Sequence, residues 1–180
     1  MNPPEIQLRA SRIQLLLTDC DGVLTDGSLP YSAAGETTKV FHIHDGLGFK
    51  LARQAGLKTG IISGRTSAAL ELRARELKVD YLYQGNDAKL GAYEEIRAAE
   101  NLHDEQIAYL GDDLHDLNLL RRVGLAMAVA DAVAEVKGAA HCVTERRGGR
   151  GAFRETVEFI LKAQEKWPDI LLLFCRKETD

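Results

Sequence analysis

The sequence predicts an α/β fold in which a parallel, Rossmann-like β-sheet is covered by helices on both faces. Short apolar segments alternate with longer segments of helical periodicity along most of the 180 residues. This alternation is typical of right-handed βαβ units, which place parallel strands side by side. Polar and acidic residues follow several of the apolar segments, where the carboxyl ends of parallel strands would meet. No repeat, low-complexity segment or insertion long enough to form a lid domain interrupts the pattern.

The first predicted strand is the apolar run at residues 13–17, which leads into Asp19, Cys20, Asp21 and Gly22. A run this short and uninterrupted indicates a strand buried on both faces. Side chains two apart point to the same side of a strand, so Asp19 and Asp21 are expected to leave its end together. Two crowded carboxylates repel each other unless a cation such as Mg²⁺ lies between them. Cys20 is expected to point the other way and to pack in the core.

A β-hairpin is predicted next. Its extended segments, residues 28–31 and 37–44, flank a turn-rich connection. An isolated hairpin is marginal in water, and nothing in the predicted core accepts this one, so we expect it to pack on a neighbouring subunit. Asp45 is expected to cap the following helix, which Gly56 ends.

The remaining elements alternate regularly. The predicted strands lie at residues 57–62, 79–83, 107–110, 125–129 and 141–144. The predicted helices lie at residues 66–77, 87–100, 114–123, 131–137 and 152–166. Ser63 and Asp112 follow two of these strands, and Lys89 lies near a helix start, so all three are expected at the same crevice as Asp19. Without the other two, Ser63 would be interpreted as a turn residue, Asp112 as a helix cap and Lys89 as a surface residue.

Composition excludes several classes of protein. Hydrophobic residues make up 45% and charged residues 28% of the chain, which indicates a single soluble globular domain over residues 1–180. No apolar run approaches the ~20 residues of a membrane span, and residues 1–12 do not resemble a signal peptide, so a cytoplasmic protein without membrane contact is expected. The net charge of −4 argues against nucleic-acid binding. Three cysteines without a C-x-x-C spacing predict neither a disulfide framework nor a zinc site.

Four segments in a fixed order resemble the signatures of the haloacid dehalogenase-like phosphatases. They are the acidic motif at Asp19, Ser63 in the sequence IISGR, Lys89, and GDDLHD at residues 111–116. The resemblance implies a haloacid dehalogenase-like core in which Asp19 attacks phosphorus to form an aspartyl-phosphate. It also implies that Asp21 protonates the leaving group and later activates water.

The same resemblance implies a Mg²⁺ cofactor and a binding site for phosphoryl oxygens. Ser63 and Lys89 would bind those oxygens, with Lys89 also restraining the nucleophilic carboxylate. The ligands of the ion would be Asp19, the backbone carbonyl of Asp21, and Asp112, with Asp113 or Asp116 acting through water.

A narrower resemblance is to the capless 3-deoxy-D-manno-octulosonate 8-phosphate phosphatases. It rests on the short hairpin and on the segments KVFHIHDG, YQGNDAK and RGGRGAFRE, and it covers residues 12–165. The resemblance implies a small sugar-acid phosphate as substrate, in the biosynthesis of a lipopolysaccharide sugar. It also implies a homotetramer in which a neighbour's hairpin and C-terminal tail, about residues 168–180, help to close the active site.

Six residues are predicted to contact the sugar acid. The substrate's carboxylate lies opposite its phosphate and needs its own donors, which a guanidinium fork supplies. Arg65 directly follows the predicted phosphate loop, and Arg73 lies two helical turns further on. The full predicted set is Asp45, Gly46, Gly64, Arg65, Arg73 and Arg150.

Three alternatives remain open. A nonulosonate 9-phosphate phosphatase, acting on a nine-carbon sugar acid, would share the whole core. Arg65 disfavours it, because the enzymes of that kind tend to carry an acid at this position. A phospho-acceptor signalling domain of the receiver type also has an acidic pocket and a lysine, but its paired acids are adjacent and follow the first strand. A catalytically silent partner domain is disfavoured by the intact acids.

Overall fold

The structure, a computed structural model, describes residues 4–33, 35–36, 38–85 and 89–175. Six parallel strands form the main sheet in the order β5-β4-β1-β6-β7-β8, and β2 and β3 form an antiparallel hairpin. The strands are β1 (Leu15–Thr18), β2 (Tyr31–Ser32), β3 (Gly35–Glu36), β4 (Lys58–Ile62), β5 (Tyr81–Tyr83), β6 (Ile107–Gly111), β7 (Leu125–Ala128) and β8 (Cys142–Val143). The helices are α1 (Pro4–Ser11), α2 (Ile43–Gln54), α3 (Ala68–Leu77), α4 (Lys89–Ala99), α5 (Leu117–Leu120), α6 (Ala134–Ala139), α7 (Ala152–Ala163) and α8 (Trp167–Cys175).

Burial explains why the central strands have continuous apolar sequences. Every residue of β1, β6 and β7 is buried, because helices cover both faces of the sheet. A strand in that position has no solvent face and so shows no alternation. Helices α1, α2 and α7 pack together in one group, and α4, α5 and α6 pack together in another. The predicted α/β class, with a parallel sheet between helices, is confirmed.

The order of the strands determines where a ligand can bind. β1 pairs with β4 on one side and with β6 on the other, so the chain winds in opposite directions from this point. In register, Thr18 at the end of β1 lies beside Ile61 of β4 and Leu110 of β6. The loops after these three strands therefore meet at one edge of the sheet, in the position where open α/β sheets bind their ligands.

Two predicted elements differ in the structure, and the start of a third lies outside the described residues. The hairpin strands are only two residues each, and residues 43–44 belong to α2 rather than to a strand. The N-cap of α2 is His42, whose Nδ1 accepts a hydrogen bond from the backbone N–H of His44, so the prediction that Asp45 caps this helix is wrong. The predicted start of α4 at residue 87 lies outside the described residues, as does residue 37 of the predicted hairpin.

Two helices near the ends of the chain were not predicted. α1 buries only Ala10, so its amphipathic pattern is weak. α8 buries only Ile170 and leaves the apolar side chains of residues 171–174 about half exposed. None of the helices in the described part of the chain combines the length and apolar character needed to cross a bilayer.

Candidate active site

The loop after β1 is held close to the loop after β6. The backbone N–H of Asp19 donates to Leu110 at 3.1 Å, and Oδ1 of Asp19 accepts from the N–H of Cys20 at 2.6 Å. The side chain of Cys20 is fully buried in the core, as expected. Gly22 has a φ of +88°, and a Cβ atom there would lie 2.0 Å from Oδ2 of Asp112. Only glycine permits both this turn and this approach of the second acidic loop.

The carboxyl ends of β1, β4 and β6 enclose a cavity of about 230 Å³. A larger groove, of about 980 Å³, lies beside Gln14 and Lys58 at the opposite edge of the sheet. The cluster of metal-ligating side chains found among the described residues lies by the smaller cavity. Its lining residues are Asp19, Asp21, Ser63, Gly64, Arg65, Lys89, Asp112, Asp113 and His115, of which only His115 was not predicted.

Three carboxylates crowd together at this cavity. Ligand oxygens of Asp19, Asp112 and Asp116 all lie within 4.8 Å of one another. Burial raises the pKa of Asp19 to about 6 and, together with the neighbouring acids, the pKa of Asp112 to about 8. Oδ1 of Asp112 is buried and has no hydrogen-bond partner among the described residues. A set of oxygen donors with excess negative charge and an unpaired carboxylate oxygen suits a hard divalent cation such as Mg²⁺.

Asp116 supports the cluster from beneath and has no exposed surface. Its Oδ1 accepts from Nζ of Lys89 at 2.7 Å and from the hydroxyl of Tyr109 at 2.6 Å. Its Oδ2 accepts from the backbone N–H of Asp112 at 2.9 Å and of Asp113 at 3.3 Å. These four hydrogen bonds occupy both oxygens, which favours Asp113 as the residue that would reach an ion through water. The role of Tyr109 was not predicted, because within an apolar strand it reads as a core residue.

Lys89 connects the two acidic loops. Its Nζ lies 2.9 Å from Oδ2 of Asp19, and it donates to Tyr109 at 3.2 Å as well as to Asp116. Burial alone would lower the pKa of Lys89, but the two carboxylates outweigh it and the pKa is raised. The residue is 4% exposed, so a full positive charge is fixed at the floor of the cavity.

The loop after β4 supplies a hydroxyl and a guanidinium. The backbone N–H of Ser63 donates to Tyr83 at 2.9 Å, which continues the ladder between β4 and β5 by one residue. Oγ of Ser63 accepts from the N–H of Arg65 at 3.3 Å, and Ser63 lines the cavity. That hydroxyl can therefore donate to an oxygen of a ligand.

The chain beyond the hairpin also enters this crevice. Nζ of Lys39 lies 2.5 Å from Oδ1 of Asp21 and 3.3 Å from Oε1 of Glu36. Glu36 in turn accepts from Nη2 of Arg65 at 2.9 Å and from the hydroxyl of Ser67 at 3.1 Å. Glu36 thus gives the hairpin polar contacts with the loop after β4 in its own subunit, where the sequence indicated no partner, while both residues of β2 remain exposed.

Two of the predicted substrate contacts lie away from the cavity on the side of α7. Asp45 is 3% exposed, and its carboxylate accepts from the backbone N–H groups of Gly151 at 3.2 Å and Arg154 at 2.9 Å. It therefore ties α2 to the start of α7 rather than facing the cavity. Arg150 is largely exposed, with its guanidinium 3.7 Å from the carboxylate of Asp26.

Two more of the predicted substrate contacts, Gly46 and Arg73, meet where α2 packs against α3. Arg73 pairs with Glu76 at 2.9 Å, and its guanidinium lies 6.0 Å from the centre of the Phe41 ring. A Cβ atom on Gly46 would lie 2.5 Å from Nη2 of Arg73, so this glycine makes room for the guanidinium. Neither residue lines the cavity at Asp19.

This combination defines a class of enzyme. A parallel sheet with a D-x-D loop after its first strand, a serine loop, a buried lysine and a second acidic loop on neighbouring strands is the arrangement of a haloacid dehalogenase-like hydrolase. Residues 81–151 match the family model described as haloacid dehalogenase-like hydrolase.

Individual relatives narrow the class. The chain is 44% identical over 158 residues to the 3-deoxy-D-manno-octulosonate 8-phosphate phosphatase of Yersinia pestis, which covers 88% of this chain and 84% of that protein. A probable YrbI family phosphatase from Pseudomonas syringae superposes with a TM-score of 0.95 at 42% identity, over 98% of this chain and 100% of that one. The 3-deoxy-D-manno-octulosonate 8-phosphate phosphatase of Moraxella catarrhalis, solved with magnesium, phosphate and KDO, gives a TM-score of 0.91 at 37% identity, over 94% and 98%. The chain belongs to the 3-deoxy-D-manno-octulosonate 8-phosphate phosphatase family.

Proposed function

We propose that this protein is a Mg²⁺-dependent phosphatase that hydrolyses 3-deoxy-D-manno-octulosonate 8-phosphate. The observation that carries the proposal is the contact of Asp19 with Lys89 beside Oδ1 of Asp112, which has no hydrogen-bond partner in the described part of the chain, in a member of this phosphatase family. A nucleophilic carboxylate, a fixed cation and a metal-ligating acid are what transfer of a phosphoryl group requires.

The reaction proceeds in two displacements. A carboxylate oxygen of Asp19 attacks phosphorus, the bond between phosphorus and the sugar oxygen breaks, and Asp21 donates a proton to that oxygen. Water then attacks the aspartyl-phosphate at phosphorus and gives a proton to Asp21, while the bond between phosphorus and the Asp19 oxygen breaks. Phosphate is released and both carboxyl groups are restored. Lys89 and the hydroxyl of Ser63 bind the phosphoryl oxygens, and both line the cavity.

The residues present suit Mg²⁺. The ion would be held by the carboxylates of Asp19 and Asp112 and by the backbone carbonyl of Asp21, with Asp113 acting through water. When bound, Mg²⁺ neutralises charge on the phosphoryl oxygens and on the crowded carboxylates.

The sugar acid extends out of the cavity. A volume of about 230 Å³ is below the ~300 Å³ of the smallest common ligand pockets, so it accommodates the phosphoryl end and little more. Arg65 lies at the mouth with its side chain 40% exposed, where a guanidinium can meet the substrate's carboxylate. In the structure Nη2 of that guanidinium donates to Glu36 at 2.9 Å.

We also propose a cytoplasmic, single-domain protein that assembles as a homotetramer and serves the biosynthesis of a lipopolysaccharide sugar. The exposed apolar side chains of α8, which include Leu172 and Phe174, support an interface between subunits. Light scattering is expected to give four chains per particle, and a monomer would count against the assembly. Removing residues 168–180 is expected to alter substrate affinity more than stability.

A substrate panel tests the proposed function. Phosphate release is measured with the eight-carbon substrate, with a nonulosonate 9-phosphate and with p-nitrophenyl phosphate, each with Mg²⁺ and after chelation. We expect the highest kcat/KM for the eight-carbon sugar acid and no activity without the ion. A higher kcat/KM for the nine-carbon substrate would favour the nonulosonate phosphatase. A stable phosphorylated protein without turnover would indicate a receiver-type domain.

A further inference from the structure

Lys39 reaches the crevice from the segment that joins the hairpin to α2, and it is one of the most enclosed charged side chains at the site. Only 2% of its side chain is exposed. Its Nζ contacts Oδ1 of Asp21 at 2.5 Å and Oε1 of Glu36 at 3.3 Å. A flexible ammonium group that is held between two carboxylates and shielded from water occupies a defined position.

Glu36 organises the cations on both sides of Asp21. Besides pairing with Lys39, it accepts from Nη2 of Arg65 at 2.9 Å and from the hydroxyl of Ser67 at 3.1 Å. Nε of Arg65 lies 3.7 Å from Oδ2 of Asp21. Asp21 therefore has a cation near each of its oxygens, and both cations are anchored on the same glutamate.

The two oxygens of Asp21 are not equivalent. Oδ1 has a short contact with Lys39. Oδ2 is buried and has no hydrogen-bond partner among the described residues, and neither has the Nε of Arg65 that faces it. Both Asp21 and Arg65 line the cavity, so Oδ2 is the oxygen left for a ligand.

We propose that Lys39 is a positioning residue that directs Oδ2 of Asp21 to the oxygen linking phosphorus and sugar. The inference rests on the proposed function, in which Asp21 exchanges protons with the leaving group and with water. As the phosphorus–sugar bond breaks and the bond from Asp19 to phosphorus forms, the proton on Oδ2 passes to the leaving oxygen. As water then attacks phosphorus and the bond between Asp19 and phosphorus breaks, a proton of the water passes to Oδ2. Lys39 keeps its own protons throughout, and its effect is to restrict the orientation of the carboxyl group.

If Lys39 orients the proton donor, its loss should impair poor leaving groups more than good ones. A purely structural role would impair both equally. A sugar alkoxide is a poor leaving group and needs the proton, whereas p-nitrophenolate leaves without it. In Lys39→Met we expect kcat/KM for the sugar-acid phosphate to fall by roughly 10- to 100-fold, a part of what general acid catalysis supplies. The loss for p-nitrophenyl phosphate is expected to be several-fold smaller. The parameter kcat/KM is chosen because it reports the step in which the leaving group departs, even if hydrolysis of the intermediate limits kcat.

Lys58→Met is the matched control. Lys58 also pairs with two acids, at 3.6 Å from Asp80 and 3.3 Å from Glu100, but it lies at the other end of β4. This variant is expected to keep the wild-type kcat/KM on both substrates. If neither the wild type nor this control hydrolyses any phosphomonoester, the proposed function itself is wrong.

A double-mutant cycle decides whether Lys39 acts through Asp21. If it does, Asp21→Asn combined with Lys39→Met loses no more kcat/KM on the sugar-acid phosphate than Asp21→Asn alone. Additive losses, or equal losses on both substrates in an active folded Lys39→Met protein, would overturn the inference. Should Lys39→Met fail to fold, Glu36→Gln, which removes the carboxylate that Lys39 and Arg65 share, is expected to show the same dependence on the leaving group. A uniform loss in that variant would equally overturn it.

Discussion

Nζ of Lys89 lies 2.7 Å from Oδ1 of Asp116, a carboxylate with no exposed surface. Replacing Lys89 by Met would leave that carboxylate buried without its counter-ion. Breaking a buried pair costs about 3–5 kcal/mol, so we expect the free energy of unfolding of Lys89→Met to fall by that amount, together with kcat/KM. Urea unfolding and phosphate release measure the two effects. The combined variant with Asp116→Asn is expected to regain part of the stability and none of the activity. A fully stable Lys89→Met protein would contradict this account of the pair.

Stabilisation by Mg²⁺ is expected to depend on pH. The pKa values of Asp19 and Asp112 are raised to about 6 and about 8 from an ordinary value of 3.8. Without the ion, these two groups keep protons in the folded protein that they have lost in the unfolded chain, so their contribution to stability is expected to fall as pH rises from about 4 to 8. The ion competes with those protons, and each pH unit below a ligand's pKa costs about 1.4 kcal/mol of apparent affinity.

We therefore expect the rise in Tm on adding MgCl₂ to be larger at pH 8 than at pH 6. Thermal unfolding at several pH values, with and without the ion, measures it. Of the two carboxyl groups, Asp112 has the higher pKa, so Asp112→Asn is expected to make the rise in Tm less dependent on pH. A rise in Tm that is the same at both pH values would argue against a site built on these carboxylates.

Gly22 is expected to be intolerant of any side chain. Its φ of +88° disfavours other residues, and a Cβ atom would lie 2.0 Å from Oδ2 of Asp112. Gly22→Ala should weaken the affinity for Mg²⁺ as well as stability, because the two acidic loops must separate. Gly56→Ala is the control, since Gly56 also has a positive φ, of +74°, but nothing lies within 4 Å of its added Cβ. Equal metal affinity in both variants, measured by calorimetry, would contradict a specific effect on the site.

Arg65 is expected to serve the substrate's carboxylate. A charge-assisted contact contributes about 1.5–3 kcal/mol, so Arg65→Ala should lower kcat/KM for the sugar-acid phosphate by roughly 10- to 150-fold. Because Arg65 also flanks Asp21, the comparison needs a sugar phosphate without a carboxylate, whose leaving group is equally poor. Equal losses on the two substrates would show that Arg65 acts through Asp21 or the fold instead.

Much of this site follows from local sequence, because strand ends in a parallel sheet place their next residues at one edge. Asp19, Ser63 and Asp112 each follow a buried apolar run, and that was enough to predict that they meet. Contacts between residues that are far apart in the sequence could not be predicted in this way, because no local pattern indicates them. Asp45 looked like a helix cap, but it bonds the backbone of Gly151 and Arg154, more than a hundred residues away.

The hairpin segment shows a second limit of sequence patterns. Residues 37–44 were predicted to be extended, but residues 38–42 have no regular secondary structure and α2 begins at Ile43. Val40 and Ile43 are 71% and 78% exposed. The side chain of Lys39 in this segment is buried between two carboxylates, and no pattern of apolar residues reports that contact.

The central claim is that Asp19 is phosphorylated during Mg²⁺-dependent hydrolysis of 3-deoxy-D-manno-octulosonate 8-phosphate. The most direct measurement is acid quenching during turnover, followed by mass spectrometry of the peptide that contains Asp19, in the wild type and in Asp19→Asn. We expect a phosphoryl group on Asp19 in the wild type, none after chelation of the ion, and neither label nor turnover in a folded Asp19→Asn protein. Phosphate release by Asp19→Asn at the wild-type rate would contradict the claim.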